Sequence, residues 1–270
     1  MNKIYLFIFT FLILQANCFS QSIDRTKKEL NSNKNTNDKS SKSSSGSTIS
    51  DYDPETILLI LRFFGYATYG VLIGDYQNEE HLYNNLNNHP FSENGRGNYS
   101  ESDTISKTNF RLDFENKFIS SGNIFNGNHL DVKIRPSKYF YLSTNWYQLY
   151  EYNTFTKKND ALSLYYFNFA YDRYRGEIFN IGWTMGASYV GNEVRKGGFS
   201  YGLNAEYFLN NKVSLSADVK WSKINQNPVN SYELKGKYFK NNYFVSISFE
   251  RLKIATPVYN LIGIGAGINF

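Results

Sequence analysis

From Phe199 to Trp221 the chain alternates apolar and polar residues with one interruption. Phe199, Tyr201, Leu203, Ala205, Tyr207 and Leu209 keep one phase, and Ser200, Gly202, Asn204 and Glu206 the other. Asn210-Asn211-Lys212 breaks the run. Val213, Leu215, Ala217, Val219 and Trp221 then resume it against Ser214, Ser216, Asp218 and Lys220. A side-chain period of two belongs to a strand with one apolar and one polar face. Two such strands joined by a short polar break form an antiparallel hairpin, and this constrains the rest of the chain more than any other feature.

The same pattern recurs on both sides. Phe179, Ile181, Trp183, Met185, Ala187 and Tyr189 oppose Asn180, Gly182, Thr184, Gly186 and Ser188. Near Thr108, Phe110, Leu112 and Phe114 alternate with Arg111, Asp113 and Glu115, and Phe118 extends the apolar face. Leu130, Val132 and Ile134 alternate with His129, Asp131, Lys133 and Arg135. Tyr139–Leu149 and Ala161–Asp172 are strand-like but aromatic on both faces, so periodicity leaves their parity open. Ser231–Phe239, Tyr243–Ile254 and Val258–Phe270 complete the set. About ten strands result, each of the length a tilted membrane strand needs. Eight or twelve follow if the aromatic middle is divided differently or if Tyr66–Ile73 is a strand. Connections at Pro136, Arg173, Asn210 and Lys240 read as short. Those near Gly122, Thr154, Glu193 and Gln226 read as longer, which is the convention of periplasmic turns and outer loops.

Aromatic residues make up 18% of the chain, yet mean hydropathy is −0.49. A helical membrane protein does not have that combination. A transmembrane β-barrel does, because lipid-facing and lumen-facing residues alternate. The net charge of +5 includes a Lys-rich N-terminal stretch and gives no ground for nucleic-acid binding. Aromatics at strand spacing point to lipid contact rather than base stacking.

The N-terminal third reads differently. Met1-Asn2-Lys3 followed by the apolar Ile4–Leu14 is too short to span a bilayer and has the form of a leader, residues 1–20, cut near Ser20-Gln21. The single cysteine, Cys18, leaves with it, so disulfide and thiolate chemistry are excluded. A lipid-modified Cys18 is the alternative, and Gln15-Ala16-Asn17 fits it poorly. Residues 21–50 are rich in Asn, Lys and Ser and are expected to lack fixed structure, as a solvated tail in the periplasm. Arg25, Lys27, Lys28, Lys34, Lys39 and Lys42 within it are candidates to touch anionic headgroups. Residues 51–107 begin with Asp53-Pro54-Glu55, a helix-start signal. A short helix to about Phe64 is expected, followed by an irregular stretch that folds into or under the barrel mouth.

The closing strand, Gly263-Ile264-Gly265-Ala266-Gly267-Ile268-Asn269-Phe270, resembles the assembly signal of Gram-negative outer-membrane β-barrel proteins. The resemblance covers the leader and residues 108–270 and is architectural. It implies an outer-membrane location, a lipid-bilayer environment and delivery by the barrel-assembly machinery.

If the apolar face meets lipid, the charged residues point inward. These are Arg111, Asp113, Glu115, Lys117, Asp131, Lys133, Arg135, Glu206, Asp218, Lys220, Glu233, Lys235, Lys237 and Glu250. Interleaved signs in a narrow barrel predict an ion-paired, plugged lumen rather than an open pore or a carboxylate pair for acid–base work. Of the three histidines, His81 and His89 fall in the irregular stretch, and His129 lies by a strand near its outer end, on one face with Asp131. No serine is placed beside them. Without a mature cysteine and with no ligand-like histidine spacing, zinc has no framework. The glycines of Gly263–Gly267 alternate with apolar residues and precede no helix, so they are not a phosphate loop. They suit close approach of neighbouring side chains. No catalytic, cofactor-binding or metal-binding residue is assigned, and no cofactor is expected. The expected function is that of a non-enzymatic structural or binding barrel presenting extracellular loops. The alternatives are an enzyme acting on lipid or peptide at the outer rim, and a small diffusion pore.

Overall fold

The computed structural model describes residues 23–32, 65, 68–92, 95–101, 110–122, 125–153, 158–210 and 212–270. The leader with Cys18, the tail beyond Ser32 with Lys34, Lys39 and Lys42, and the Pro54–Phe64 helix start lie outside the described residues.

A two-stranded ladder, β1 (Asn85–Leu86) and β2 (Tyr99–Ser100), precedes ten long strands. These are β3 (Arg111–Ser121), β4 (Phe125–Arg135), β5 (Tyr141–Asn153), β6 (Lys158–Arg175) and β7 (Phe179–Val190). They continue as β8 (Lys196–Asn210), β9 (Val213–Ile224), β10 (Asn227–Lys240), β11 (Tyr243–Ile254) and β12 (Val258–Asn269). Sequential neighbours pair antiparallel, and β12 pairs with β3, so ten strands close into a barrel. At the seam the Phe270 N–H donates to the Leu112 carbonyl at 2.8 Å and the Leu112 N–H returns to Phe270 at 3.0 Å. The terminal Phe thus fastens the last strand to the first.

The alternations set the faces as expected. Phe114, Phe118, Ile181, Met185, Leu203, Leu215, Val245 and Ile262 point outward and are exposed, and Ile264 keeps 67% of its surface. So large an apolar surface is stable against lipid and not against water. Outward aromatics gather toward both rims: Tyr139, Tyr174, Tyr207, Tyr238 and Tyr243 at one, Tyr150, Tyr152, Tyr189 and Phe199 at the other. This is the double girdle of a membrane barrel.

The even strand number places Arg111 and Phe270 at the same rim, the terminal rim; the opposite one is the distal rim. Connections at the distal rim are shorter than expected. Only Asn225 and Gln226 join β9 to β10, both with positive φ (48° and 64°), the geometry of a tight hairpin turn. Gly122 begins a similarly brief turn, and Ala255–Pro257 joins β11 to β12. Among the described residues, the longest connection at this rim is 191–195. At the terminal rim β6 runs on through Arg175, past a bulge between Asp172 and Tyr174, so the expected turn at Arg173 lies three residues later.

The N-terminal stretch departs from expectation in its described part. Residues Ile23–Asn31 form helix α1 rather than unstructured chain, and α1 lies at the distal rim, opposite the barrel termini. Ile23, Thr26, Lys27 and Leu30 fall on one buried face at helical spacing. On the exposed side Asp24–Lys28 and Arg25–Glu29 pair one turn apart, at 2.7 and 2.8 Å. Residues 68–72 are helical, which removes the alternative strand at Tyr66–Ile73.

Candidate functional site: the ion-paired interior and its two caps

All fourteen charged strand residues singled out from the sequence occupy inward positions. The longest come from β3, β4, β10 and β11. Facing them, β7 to β9 present Gly182, Thr184, Gly186, Ser188, Ser200, Gly202, Ser214 and Ser216. Small side chains on one wall leave room for long ones from the other. On β12 a Cβ at Gly265 would lie 2.4 Å from Lys117 Cγ, and one at Gly267 2.2 Å from the Phe244 ring. The glycines let these neighbours lie flat over the wall, as their alternation suggested.

The charges neutralise one another. Lys117 Nζ contacts Glu233 and lies 2.8 Å from Glu250, with no side-chain exposure at Lys117 or Glu250. Lys235 meets Glu115 at 2.6 Å, Glu233 at 3.3 Å and Asp131 at 3.6 Å. Lys237 meets Glu206 at 2.9 Å, and Asp113 is shared by Arg111 (2.6 Å) and Arg135 (3.3 Å). Desolvated charges hold together only when paired in this way.

His129 lies within this network, fully buried, not near an outer end. Its ring stacks on Tyr147 at 3.7 Å between centroids, and Nδ1 meets Glu250 at 2.9 Å. Asp131 shares its face but turns to Lys235. The Ser248 hydroxyl donates to the other Glu250 oxygen at 2.9 Å. Serine and histidine thus both bond the acid, while His129 Nε2 has no protein partner. A nucleophilic triad needs the histidine between the other two, so this is not one. Ligand atoms of His129, Glu233 and Glu250 lie within 4.8 Å of one another. The Lys117 ammonium already occupies both carboxylates, so the cluster is an ion-paired knot rather than a vacant metal site.

Each mouth is closed. At the distal rim Ile23 and Leu30 bury into a cluster with Ile119, Tyr147, Leu149, Leu164, Ile254 and Leu261. The Ile23 N–H donates to Glu151, and the Thr26 and Tyr259 hydroxyls meet at 2.7 Å. Last-turn carbonyls of α1 accept from Asn225 (2.7 Å to Leu30), Lys196 (3.2 Å to Leu30) and Asn227 (3.1 Å to Glu29). These satisfy groups a helix end leaves open.

At the terminal rim, residues 73–92 and 95–101 form the second cap. His81 and His89 sit in it, His81 against the Tyr174 ring and His89 against the Pro90 carbonyl. Tyr99 donates to Asp172 at 2.6 Å, and Asn98 donates to Glu206 at 3.0 Å while accepting from Arg111 at 2.7 Å. Burial, reinforced by the Asp172 charge, pushes the Tyr99 hydroxyl well above the usual tyrosine range. Phe91 wedges between Phe208 and Phe239. The cavity left beneath, by Pro90, Asn98 and Arg111, is about 20 Å³, room for about one water. Further out, two hydrogen bonds from Arg173 hold the Glu79 carboxyl down at about 2. The indole N–H of Trp183, on the outer wall, donates to the Leu72 carbonyl at 2.8 Å.

No family model and no curated protein matches the chain. Among solved structures it is similar to an outer-membrane channel from Pseudomonas putida, with TM-score 0.36 and 9% identity, over 63% of this chain and 98% of that one. It is also similar to the N-terminal β-barrel domain of Pseudomonas aeruginosa OprF, with TM-score 0.29 and 12% identity over 59% and 97%. Ail of Yersinia pestis gives TM-score 0.28 and 11% identity over 60% and 96%. These are likenesses between closed barrels and extend no further. The transmembrane architecture rests on the outward apolar band and the closed ring of strands.

Proposed function

We propose that this protein is a non-enzymatic outer-membrane barrel, closed to diffusion, that serves as a structural or binding element of the cell envelope. One observation carries the reading: segments from the N-terminal third cover both mouths, over an interior filled by its own ion pairs. A diffusion pore needs a water-filled lumen, and the space under the terminal cap amounts to about 20 Å³. Outer-rim catalysis through His129 is disfavoured, because that ring is sealed between the caps and bonded to a carboxylate already paired with Lys117. The terminal rim faces the periplasm and the distal rim the outside. With such short connections there, the exposed polar side of α1, carrying Arg25 and Lys28, supplies the contact surface that loops were expected to provide.

Reconstitution into planar bilayers tests the proposal. The full-length protein is expected to give no conductance steps, and stable steps would overturn the closed-barrel reading. Cleavage of lipid or peptide substrates that is lost in His129→Ala would overturn the non-enzymatic one.

A further inference from the structure

Every Asp and Glu in the described parts of the ten strands takes an inward position, so the outer wall of the strands carries no carboxylate. It does carry cations. On β11, Arg251 and Lys253 both face outward near the distal rim, and Lys223 of β9 does so at the same level. Residues two apart on one strand face stand about 7 Å from each other. Arg251 lies opposite Tyr232 of β10 and Asn260 of β12, and Lys253 opposite Asn230 and Val258. One step toward the middle of the wall, Leu234 pairs with Phe249, while Val219 of β9 lies opposite Tyr232. Val219, Asn230, Tyr232, Leu234, Phe249, Arg251 and Lys253 line a groove of about 530 Å³ on the lipid-facing surface. Glu233 borders it only from behind, with its carboxylate turned inward to Lys117.

An arginine or lysine on a barrel's lipid face costs about 2–4 kcal/mol at the bilayer midplane and little at the interface. These cations therefore lie at headgroup depth, with their stems along the apolar wall. A guanidinium binds phosphate through two parallel hydrogen bonds, and an ammonium adds a point charge. Tyr232 and Asn230 add neutral donors beside them. Below, the shelf of Val219, Leu234 and Phe249 offers an acyl chain an apolar bed. We propose that this groove binds a phosphorylated glycolipid of the outer leaflet, the lipid A moiety of lipopolysaccharide. Arg251 and Lys253 hold its phosphates, and one acyl chain lies on the shelf. Two cations a strand step apart suit a headgroup with more than one phosphate better than a single phosphodiester. The choice of leaflet rests on the proposed orientation, with the distal rim outside.

The test is titration of the purified full-length protein in detergent, read by native mass spectrometry, with bisphosphorylated lipid A, dephosphorylated lipid A and phosphatidylglycerol. Wild type is expected to retain bisphosphorylated lipid A preferentially. The double variant Arg251→Gln/Lys253→Gln is expected to lose affinity on the order of tenfold or more. Lys240→Gln, an outward lysine at the other rim, is expected to bind as wild type does. Heat-modifiable gel mobility verifies that each variant remains a folded barrel. Unchanged binding by the double variant, equal binding of dephosphorylated lipid A, or equal binding of phosphatidylglycerol overturns the proposal. Orientation has its own readout, since a Thr256→Cys variant is expected to react with impermeant maleimide on intact cells. Reaction only after the outer membrane is permeabilised overturns the outer-leaflet assignment. Bilayer conductance bears on the closed-barrel reading and leaves the lipid titration untouched, so the two fail separately.

Discussion

Lys117 of β3 and Glu250 of β11 face each other inside the barrel at 2.8 Å, and neither side chain has any exposure. Glu233 shares the same ammonium. The interior is therefore a set of charges that depend on one another.

Replacing Lys117 by Met leaves two carboxylates in a sealed interior without their counter-ion. Breaking a buried pair from one side costs about 3–5 kcal/mol. Urea unfolding in detergent is expected to shift to lower urea by a corresponding amount, and Lys117→Met/Glu250→Gln to recover part of it. A midpoint equal to wild type would mean that water reaches these carboxylates.

Leu30 anchors α1 in the apolar cluster at the distal rim. Leu30→Asp would bury an unpaired charge there, so the helix is expected to leave while the strands stay paired. Trypsin should then cut after Arg25, Lys27 and Lys28, positions protected in wild type, with heat-modifiable mobility of the barrel retained. Protection equal to wild type would show that α1 is held by its polar contacts alone.

Glu79 gives the terminal cap an acid limit. Its carboxyl titrates at about 2 in the folded protein because Arg173 hydrogen-bonds to it, against about 4.3 for a free glutamate. The stability it contributes is present above the free value and is lost as pH falls toward the folded one. Hydrogen exchange of the amides in 70–83 is expected to be flat from neutral pH to about 5, once corrected for intrinsic rates, and to accelerate below about pH 4. Glu79→Gln should weaken protection at neutral pH and remove the acid phase.

Gly97 crosses the terminal rim where a Cβ would lie 2.2 Å from the Glu177 carbonyl oxygen and 2.7 Å from the Phe208 ring. Gly97→Ala is therefore expected to unseat residues 95–101, detected as faster proteolysis after Arg96 with the barrel still folded. Wild-type resistance would show that the rim yields by more than an ångström at little cost.

Where one side of the wall meets lipid and the other a polar interior, period two was plain in the sequence: Phe179–Tyr189, Phe199–Trp221 and Ile262–Ile268 face as their alternation said. The charged knot was legible for the same reason, since Glu115, Lys117, Glu233 and Lys235 occupy the opposite phase. The aromatic middle was not. Tyr147, Leu149, Leu162, Leu164 and Tyr166 face inward and are apolar because they lie beneath α1, so both faces of β5 and β6 are greasy and parity disappears. The helix that causes this was hidden in its turn. Ile23 and Leu30 are its only large apolar anchors, set in a run whose Asn, Lys and Ser content reads as solvated chain. Pairing between His129 and Glu250 joins positions far apart in sequence, and no local spacing signals it.

The two caps sit on opposite rims, yet both belong to the stretch of chain ahead of the first barrel strand. Asn225 holds Ser32 at one rim, and Arg173 holds Gly70 at the other. The contacts that seat the helix share no strand residue with those that seat residues 73–92 and 95–101. Either stopper can therefore be drawn while its counterpart stays in place, and the two ends of the cylinder open independently.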